Sequence, residues 1–572
     1  MKSTILSRRD LDFLLYEWLD VEKLTALDRF TEHSRETFDG VLDLCEQLAT
    51  RYFAPHNKLS DANEPTFDGQ TVTLIPDVKE AWDAFAAADL LAMGFDDELG
   101  GAQLPVTVAQ AAFAWIAAAN VSTSGYLMLT IANANLVAHF GTPEQIETFV
   151  KPMLAGRFSG TMALSETQAG SSLADITTRA EPQADGTYRL FGSKMWISGA
   201  EHELTENIVN LVLAKIPGGP AGTKGISLFI VPKFLTGGTR NGVAISGLNH
   251  KMGQRGITNT VLNFDGATGY LVGEPHRGIV YMFHMMNEAR LGVGMGAVAL
   301  GYTGYLKSLE YARERPQGRP LGVKDPSTPQ VPIIEHADVK RMLLAQKAYV
   351  EGGLALLLYC AKLIDSDATG DSSVLDILTP VAKSWPSQWC VEANSLAIQV
   401  HGGYGYTREY DVEQHYRDNR LNPIHEGTHG IQSLDLLGRK VTQNSGASLT
   451  ALGERVAKTV SAGADAAPDL AAQLDTAWQR LVAVTGAMFA SGDVETAMAN
   501  SAVYLEAFGH IVVAWIWLEQ VLAAHGRTGD FYDGKRQAAQ YFLRYELPKT
   551  APQLDLLESM DRTTLEMRDS WF

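Results

Sequence analysis

The chain is poor in cysteine, in positive charge and in long apolar runs. Only three cysteines occur in 572 residues, Cys45, Cys360 and Cys390, and none forms a C-x-x-C pair. That excludes a disulfide-stapled framework and a thiolate metal ribbon, and it predicts reduced core thiols in a reducing compartment. Lys and Arg number 47 against 66 Asp and Glu, a net charge of -19. Phosphate backbones and anionic membranes are bound by basic faces, so this balance argues against both partner classes. A small anionic ligand needs only a few local cations and stays open. No run of 18 apolar residues exists; the nearest, Ile511 to Ala523, carries Glu519. A membrane span is therefore not expected. Arg8, Arg9 and Asp10 stand near the start, a pattern unlike a secretory leader. The expectation is a cytoplasmic protein.

What remains is ordinary globular material, 46% hydrophobic and 20% charged. The length alone suggests roughly three to five domains. Apolar residues within Asp10 to Val21 recur at helical spacing, in an N-terminal extension over 1–35. Helical patterns at Arg35 to Tyr52, Asp77 to Ala92 and Val106 to Phe140 fill an α domain over 36–159. From Gly160 the period approaches two. Gly192 to Gly199, Asn207 to Ala214, Ile226 to Val231 and Thr260 to Phe264 read as strands, with Asp185-Gly186 as a hairpin signal. These make a central β domain over 160–280. Helices resume at Tyr281, with a Pro-rich insertion at Pro316 to Pro332, then His336 to Asp365 and Asp376 to His401. This is a C-terminal, four-helix-bundle-like domain over 281–443. A Gly/Ser/Ala-rich linker is expected over 444–467, and a helical extension over 468–572. The fold class is α+β, mostly α.

The chain turns on Asn419 to Gln432, N-R-L-N-P-I-H-E-G-T-H-G-I-Q. Glu426 lies between a proline-stiffened approach and two glycines. A carboxylate on such a bend reaches into a cleft without a helix around it, which suits a positioned base. His425 to His429 also fits H-E-x-x-H, the zinc-hydrolase motif. That motif needs a helix to bring both histidines to one face, and Pro423, Gly427 and Gly430 argue against one. No metal ligand set is expected. Gly292 to Ala297 fits G-x-G-x-x-A, but a helical pattern precedes it where a dinucleotide fold needs a strand. Close helix packing is the reading preferred there. Met162 to Ser171 concentrates hydroxyls, a carboxylate and a Gly-Ser pair, a turn suited to the polar edge of a heterocycle or a phosphate. Trp196, between Lys194 and Ser198, offers an indole for stacking; a surface hairpin with a core tryptophan is the competing reading.

Together these segments resemble the acyl-CoA dehydrogenase family. M-A-L-S-E-x-x-A-G-S, K-M-W-I-S, Lys251 to Gly256, Asn287 to Arg290, Tyr311 to Arg315, Gln399 to Gly405 and Glu426 to Thr428 follow in family order, over roughly residues 35–440. The N-terminal helix, the Pro-rich insertion and the C-terminal helices resemble an extended branch of that family. The resemblance implies FAD-dependent α,β-desaturation of an acyl-CoA thioester. It implies Glu426 as the base that takes the α-proton, and flavin N5 as hydride acceptor. The thioester oxygen would be met by the Glu426 backbone N–H and a flavin ribityl hydroxyl. It further implies Ser165, Ser171, Trp196, Ser198 and Thr428 at FAD. Arg315, Gln399, Gly402 and Gly403 would reach FAD across a homodimer boundary. Ser171 and Arg290 would meet acyl-CoA, and an electron-transfer flavoprotein would be the acceptor. The sequence departs from the family at Ser165 and Ser198, which keep a hydroxyl, and at His425, Gly430, Ala337 and Asn287. A zinc hydrolase and a low-turnover flavoprotein scaffold are the alternatives.

Overall fold

The computed structural model describes residues 3–366 and 370–572. They fall into two compact units. A β unit comprises Asp28–Pro105 and Ala112–Gly292; a helical unit takes the described residues of Met1–Leu27, Val106–Ala111 and Val293–Phe572.

The β unit is built on seven strands: β1 Phe158–Ala163, β2 Arg179–Pro182, β3 Tyr188–Ser198, β4 Asn207–Lys215, β5 Ile226–Pro232, β6 Val243–Leu248 and β7 Asn259–Leu271. Four of them lie where the period-two pattern places them. β4 and β5 are buried almost throughout, which explains their runs of Ile, Val, Leu and Phe, interrupted by the buried Asn210 and Ser227. β7 is longer than Thr260 to Phe264, because it pairs antiparallel with β3, β5 and β6. β5 also pairs with β4, and β2 bridges β3 to β4. The circuit β4–β5–β7–β3–β2 therefore closes on itself, and β1 adds to β4 in parallel. Closure removes the free edges an open sheet would expose. Leu190, Ile197, Val212, Phe229, Val231, Leu262 and Phe264 fill the core. Helix α1, Val121–Phe140, is capped by the Asn120 side chain, which accepts from Thr123 N–H at 3.0 Å. Buried Asn133 donates to the carbonyls of Thr161 and Val209, both at 2.9 Å, and so fastens α1 to β1 and β4.

The helical unit contains most of α2, Gly278–Glu314, followed by α3, Ala337–Asp365, and α4, Asp371–His401. Pro380 and Pro386 lie inside α4. Proline has no N–H, so Pro386 leaves the carbonyl of Ala382 without its helical donor. That carbonyl lies 2.2 Å from where a Cβ on Gly294 would stand. Cβ atoms on Gly301 and Gly304 would likewise lie 2.8 and 2.5 Å from Cys390 and Asn394. The G-x-G-x-x-A stretch is thus part of a helix face that packs tightly on α4, as its context predicts.

α5, Val412–Asn419, and α6, His429–Asp435, bracket the Glu426 loop. The C-terminal extension follows as α7 Gln443–Ala466, α8 Pro468–Ala490, α9 Ser501–Ala523 and α10 Asp530–Tyr541. Here one expectation is corrected: residues 444–467 are not an open linker but form α7. Asn444, Ser445 and Gly446 take left-handed φ and turn the chain. Beyond them Leu452, Val456, Thr459 and Gly463 are buried at helical spacing. Gly463 admits Ala471 and Leu518 at close range. The glycines that suggested flexibility serve close packing. α9 is long and apolar enough to cross a membrane by length and composition, yet 83% of its most apolar window is buried within the protein. It is the core of the extension, with Trp515 and Trp517 fully enclosed.

The N-terminal helix forms as Arg8–Asp12 and widens into a π-type turn at Phe13–Trp18. Its apolar face meets the extension: Phe13 packs edge-on to Phe531 at 5.5 Å, and Trp18 Nε1 donates to Glu519 at 3.2 Å. Lys535 is fully buried and pairs with Asp10 and, at 2.8 Å, with Glu351. Tyr302 donates its hydroxyl to Asp10 at 2.9 Å.

Candidate active site

In the helical unit, α5 stops at Asn419 and the chain runs through Pro423 to Glu426. Glu426 has φ of 53° and Gly427 of 91°. The left-handed region costs an ordinary residue roughly 1–2 kcal/mol, so something must hold Glu426 there. Three hydrogen bonds from two side chains do so. Lys383, buried in α4, donates from Nζ to the carbonyls of Asn422 at 2.8 Å and Gly427 at 2.7 Å. Gln432, buried in α6, donates from Nε2 to the Glu426 carbonyl at 3.1 Å. Thr428 then opens α6, its hydroxyl accepting from Ile431 N–H at 3.4 Å.

A run of buried amides anchors the approach. Asn422 donates to Asn419 at 2.8 Å, Asn419 to Asn394 at 2.7 Å, and Asn394 to the Leu300 carbonyl at 3.0 Å. His425 Nε2 lies 3.0 Å from Asn422 Oδ1. Burial and then the positive charge of Lys383 push the His425 imidazole down to about 3. Burial, Lys383 and Arg420 push His429 down to about 4. Both rings are therefore neutral at neutral pH, and neutral His425 donates from Nε2 to the Asn422 oxygen. The two left-handed residues break any helix between His425 and His429. The shared helical face that H-E-x-x-H requires does not form. Among the described residues no group of three or more His, Cys, Asp and Glu side chains is placed to hold a metal ion.

At the end of α4, Gly402 takes φ of 63° and closes the helix with its N–H on the carbonyls of Gln399 and Ile398. Gly402 and Gly403 are exposed, and a Cβ on either would meet nothing within 4 Å. The Arg315 guanidinium lies over the Tyr404 ring at 5.4 Å. Arg315, Gln399, Gly402 and Gly403 thus gather at one end of the helical unit, apart in sequence from Glu426 and Thr428.

The β unit brings the other expected residues together. Glu166 is buried and accepts from Thr177 and Thr178, through both N–H and hydroxyl, and from Lys194 Nζ at 3.0 Å. Burial alone would raise its pKa, but Lys194 and these donors outweigh burial and hold the carboxyl well below the usual range. Burial dominates at Lys194, whose ammonium is pushed down to about 8. This pair fastens the loop that carries Ser165 and the exposed Ser171 to β3. The Ser165 carbonyl accepts from Met195 N–H at 3.0 Å. One residue on, Trp196 sits in a bulge with φ of 66° and its indole 60% exposed. Tryptophan is seldom left-handed and seldom so exposed, and this one is aimed outward by the backbone. It is an exposed residue, not a core one. Ser198 accepts from Asn259 Nδ2 at 3.1 Å. Arg290, in the first part of α2, is buried at 3% exposure.

Sequence reading missed Lys383, Gln432 and the Glu166–Lys194 pair as supports. It also missed Glu288, whose carboxyl accepts from Asn135 at 2.8 Å and is pushed up by burial.

Four family models match the chain in succession. Acyl-CoA dehydrogenase N-terminal, middle and C-terminal domains match residues 39–157, 161–267 and 276–441. An acetyl-CoA dehydrogenase C-terminal like domain matches 452–568. The 3-methylmercaptopropionyl-CoA dehydrogenase of Ruegeria pomeroyi is 36% identical, over 94% of this chain and 95% of its own length. The broad-specificity linear acyl-CoA dehydrogenase FadE5 of Mycobacterium tuberculosis is 34% identical over 99% of both. An acyl-CoA dehydrogenase from Bacillus anthracis, solved in complex with FAD, has a TM-score of 0.76 at 19% identity. That match covers 94% of this chain and 90% of that one. With its N-terminal, middle and C-terminal domains all matched, and its extension too, the chain belongs to the acyl-CoA dehydrogenase family, oxidoreductases acting on CH–CH bonds.

Proposed function

We propose that the protein desaturates an acyl-CoA thioester between Cα and Cβ, with Glu426 as the base and FAD as the cofactor. The observation that carries this reading is a carboxylate held at left-handed φ by three hydrogen bonds from two buried side chains. Such backbone strain persists where the surroundings over-determine it, and it clusters at functional sites. The α-proton of a thioester is only weakly acidic, so its removal needs a base placed at the carbon and donors at the carbonyl oxygen. Glu426 supplies both from one residue: its carboxylate takes the proton, and its backbone N–H faces the developing charge. Burial and the Lys383 charge make His425 and His429 poor proton acceptors beside it.

The residues present fit a flavin. An exposed indole at Trp196 lies beside the Ser165 loop, and open space stands over Gly402 and Gly403 next to the exposed Arg315. FAD, when bound, supplies the acceptor for the β-hydride. Trp196, Ser165 and Ser198 orient its ring system, Ser171 lies where FAD or acyl-CoA phosphate is met, and Thr428 sits beside the base. Arg315, Gln399, Gly402 and Gly403 serve the FAD of a second copy in a homodimer. Arg290 holds the acyl-CoA, and an electron-transfer flavoprotein takes the electrons. The first substrates to test are the CoA esters that the names of the two relatives give, a methylthio-propionyl and linear acyl chains of several lengths.

The test is anaerobic bleaching of the yellow protein by this panel, with wild type and Glu426→Gln. The wild type should bleach. The Glu426→Gln protein should keep its colour and its affinity for acyl-CoA but lose reduction by about 100-fold or more. Reduction at the wild-type rate would remove Glu426 from the base role.

A further inference from the structure

Lys383 stands 43 positions before Glu426 in the sequence and beneath it in the fold. Its side chain is fully buried. A buried ammonium costs several kcal/mol unless its N–H groups are satisfied. Two of its three donors go to loop carbonyls on either side of the base, Asn422 and Gly427. Gln432 takes the carbonyl between them, that of Glu426 itself. The Gln432 Oε1 atom is buried and finds no hydrogen-bond partner among the described residues, so the amide acts on the loop through its donor side. The Gly427 position is equally tight: a Cβ there would lie 2.5 Å from Gln432 Nε2.

The platform under the ammonium is built for it. Pro380 and Pro386 flank Lys383 in α4, and Ser387 donates its hydroxyl to the Lys383 carbonyl at 2.5 Å. The charge is felt locally, since it contributes to holding both His425 and His429 neutral.

We propose that Lys383, seconded by Gln432, is a positioning residue for the reaction: it holds the Glu426–Gly427 reversal in the one backbone conformation that presents the carboxylate and N–H of Glu426 together. This rests on Glu426 being the base. The interaction acts on the loop, so its loss lowers the rate of proton removal more than it weakens substrate binding. A misplacement of about 1 Å is enough to cost about 100-fold in rate.

The test compares Lys383→Met, Lys383→Arg and Gln432→Met in the full-length, FAD-loaded protein. Three quantities are read: the anaerobic reduction rate, the dissociation constant for acyl-CoA, and hydrogen exchange of the 422–428 amides by mass spectrometry. Lys383→Met should reduce about 100-fold more slowly, with acyl-CoA affinity kept and the loop amides less protected. Lys383→Arg keeps charge and donors and should recover most of the rate. Gln432→Met should show the same pattern more mildly, and it decides the matter if Lys383→Met does not fold. Wild-type reduction by Lys383→Met or by Gln432→Met would overturn the proposal. So would a loss of substrate affinity equal to the loss of rate. If Glu426→Gln bleaches normally, the base assignment fails; if Glu426→Gln is inactive and Lys383→Met is normal, only the positioning role fails.

Discussion

At the residue scale the site depends on two left-handed positions side by side. Gly427 tolerates its φ of 91° because it has no Cβ, and a methyl there would collide with Gln432. Gly427→Ala should cost about 1–3 kcal/mol of stability, read as a lower urea midpoint, and should slow flavin reduction. An unchanged midpoint would show that the loop relaxes without cost. Trp196 is the counterpart in the β unit. Replacing it by Leu removes an exposed aromatic face and should lower the FAD retained on gel filtration, without moving the unfolding midpoint of the FAD-free protein. Part of this was legible in the sequence. Pro423 and Gly427 around Glu426 announce a bend, and His425 and His429 around such a bend argue against a zinc face. Lys383 was not legible. It is a lysine in a helical pattern, and a lysine there is ordinarily solvated; only the fold brings it under a loop 43 residues further on. The bulge that turns Trp196 outward was equally hidden, because a register shift between β3 and β7 belongs to a pair of strands and not to either alone.

At the element scale, helices report their partners through glycine and proline. Gly294 belongs to a stretch that looked like a nucleotide loop, and with Gly301 and Gly304 it serves α4. Gly446 and Gly463 looked like a linker and belong to α7. Composition marks both as unusual but cannot say whether small residues permit motion or contact. The strands were easier to read where burial is two-sided, as in β4 and β5. β6, with alternating exposure and a Gly247 bulge, carried too weak a pattern to name. Burial also concentrates charge between elements: Lys535 of α10 pairs with Glu351 of α3 and Asp10 of the N-terminal helix. Removing one partner of a buried pair strands the others, so Lys535→Met should destabilise the protein by about 3–5 kcal/mol. Denaturant unfolding checks this. A double change, Lys535→Met with Asp10→Asn, should cost less than the sum of the two.

At the scale of the whole molecule the titrating groups favour neutral pH. Burial holds His202, His415 and His425 near 3 and His429 near 4. Unfolded histidine protonates near 6.5, so acid favours the unfolded chain. The stability these rings contribute is complete above pH 6.5 and falls below it, by up to about 1.4 kcal/mol per ring per pH unit. Glu166 and Glu546 lie below their ordinary value of 4.5, Glu546 at about 2. Their contribution is present above pH 4.5 and is lost as pH drops towards their folded values. Asp10, Glu288 and Glu392 are raised and offset part of this. Urea midpoints should therefore decline steadily from about pH 6.5 to pH 4.5. A flat profile across that range would contradict the burial of the four histidines.

Arg9 donates to the hydroxyl of Tyr532, 523 residues away along the chain. A ribosome adding 5–20 residues per second leaves the first of them waiting about 26 to 105 s for the second. Through that interval Phe13 lacks Phe531, the ring it packs against edge-on. The helical unit cannot close fully until α10 has been made. Until then part of the apolar face of the N-terminal helix stays uncovered and open to chaperones, and removing α10 should expose it again.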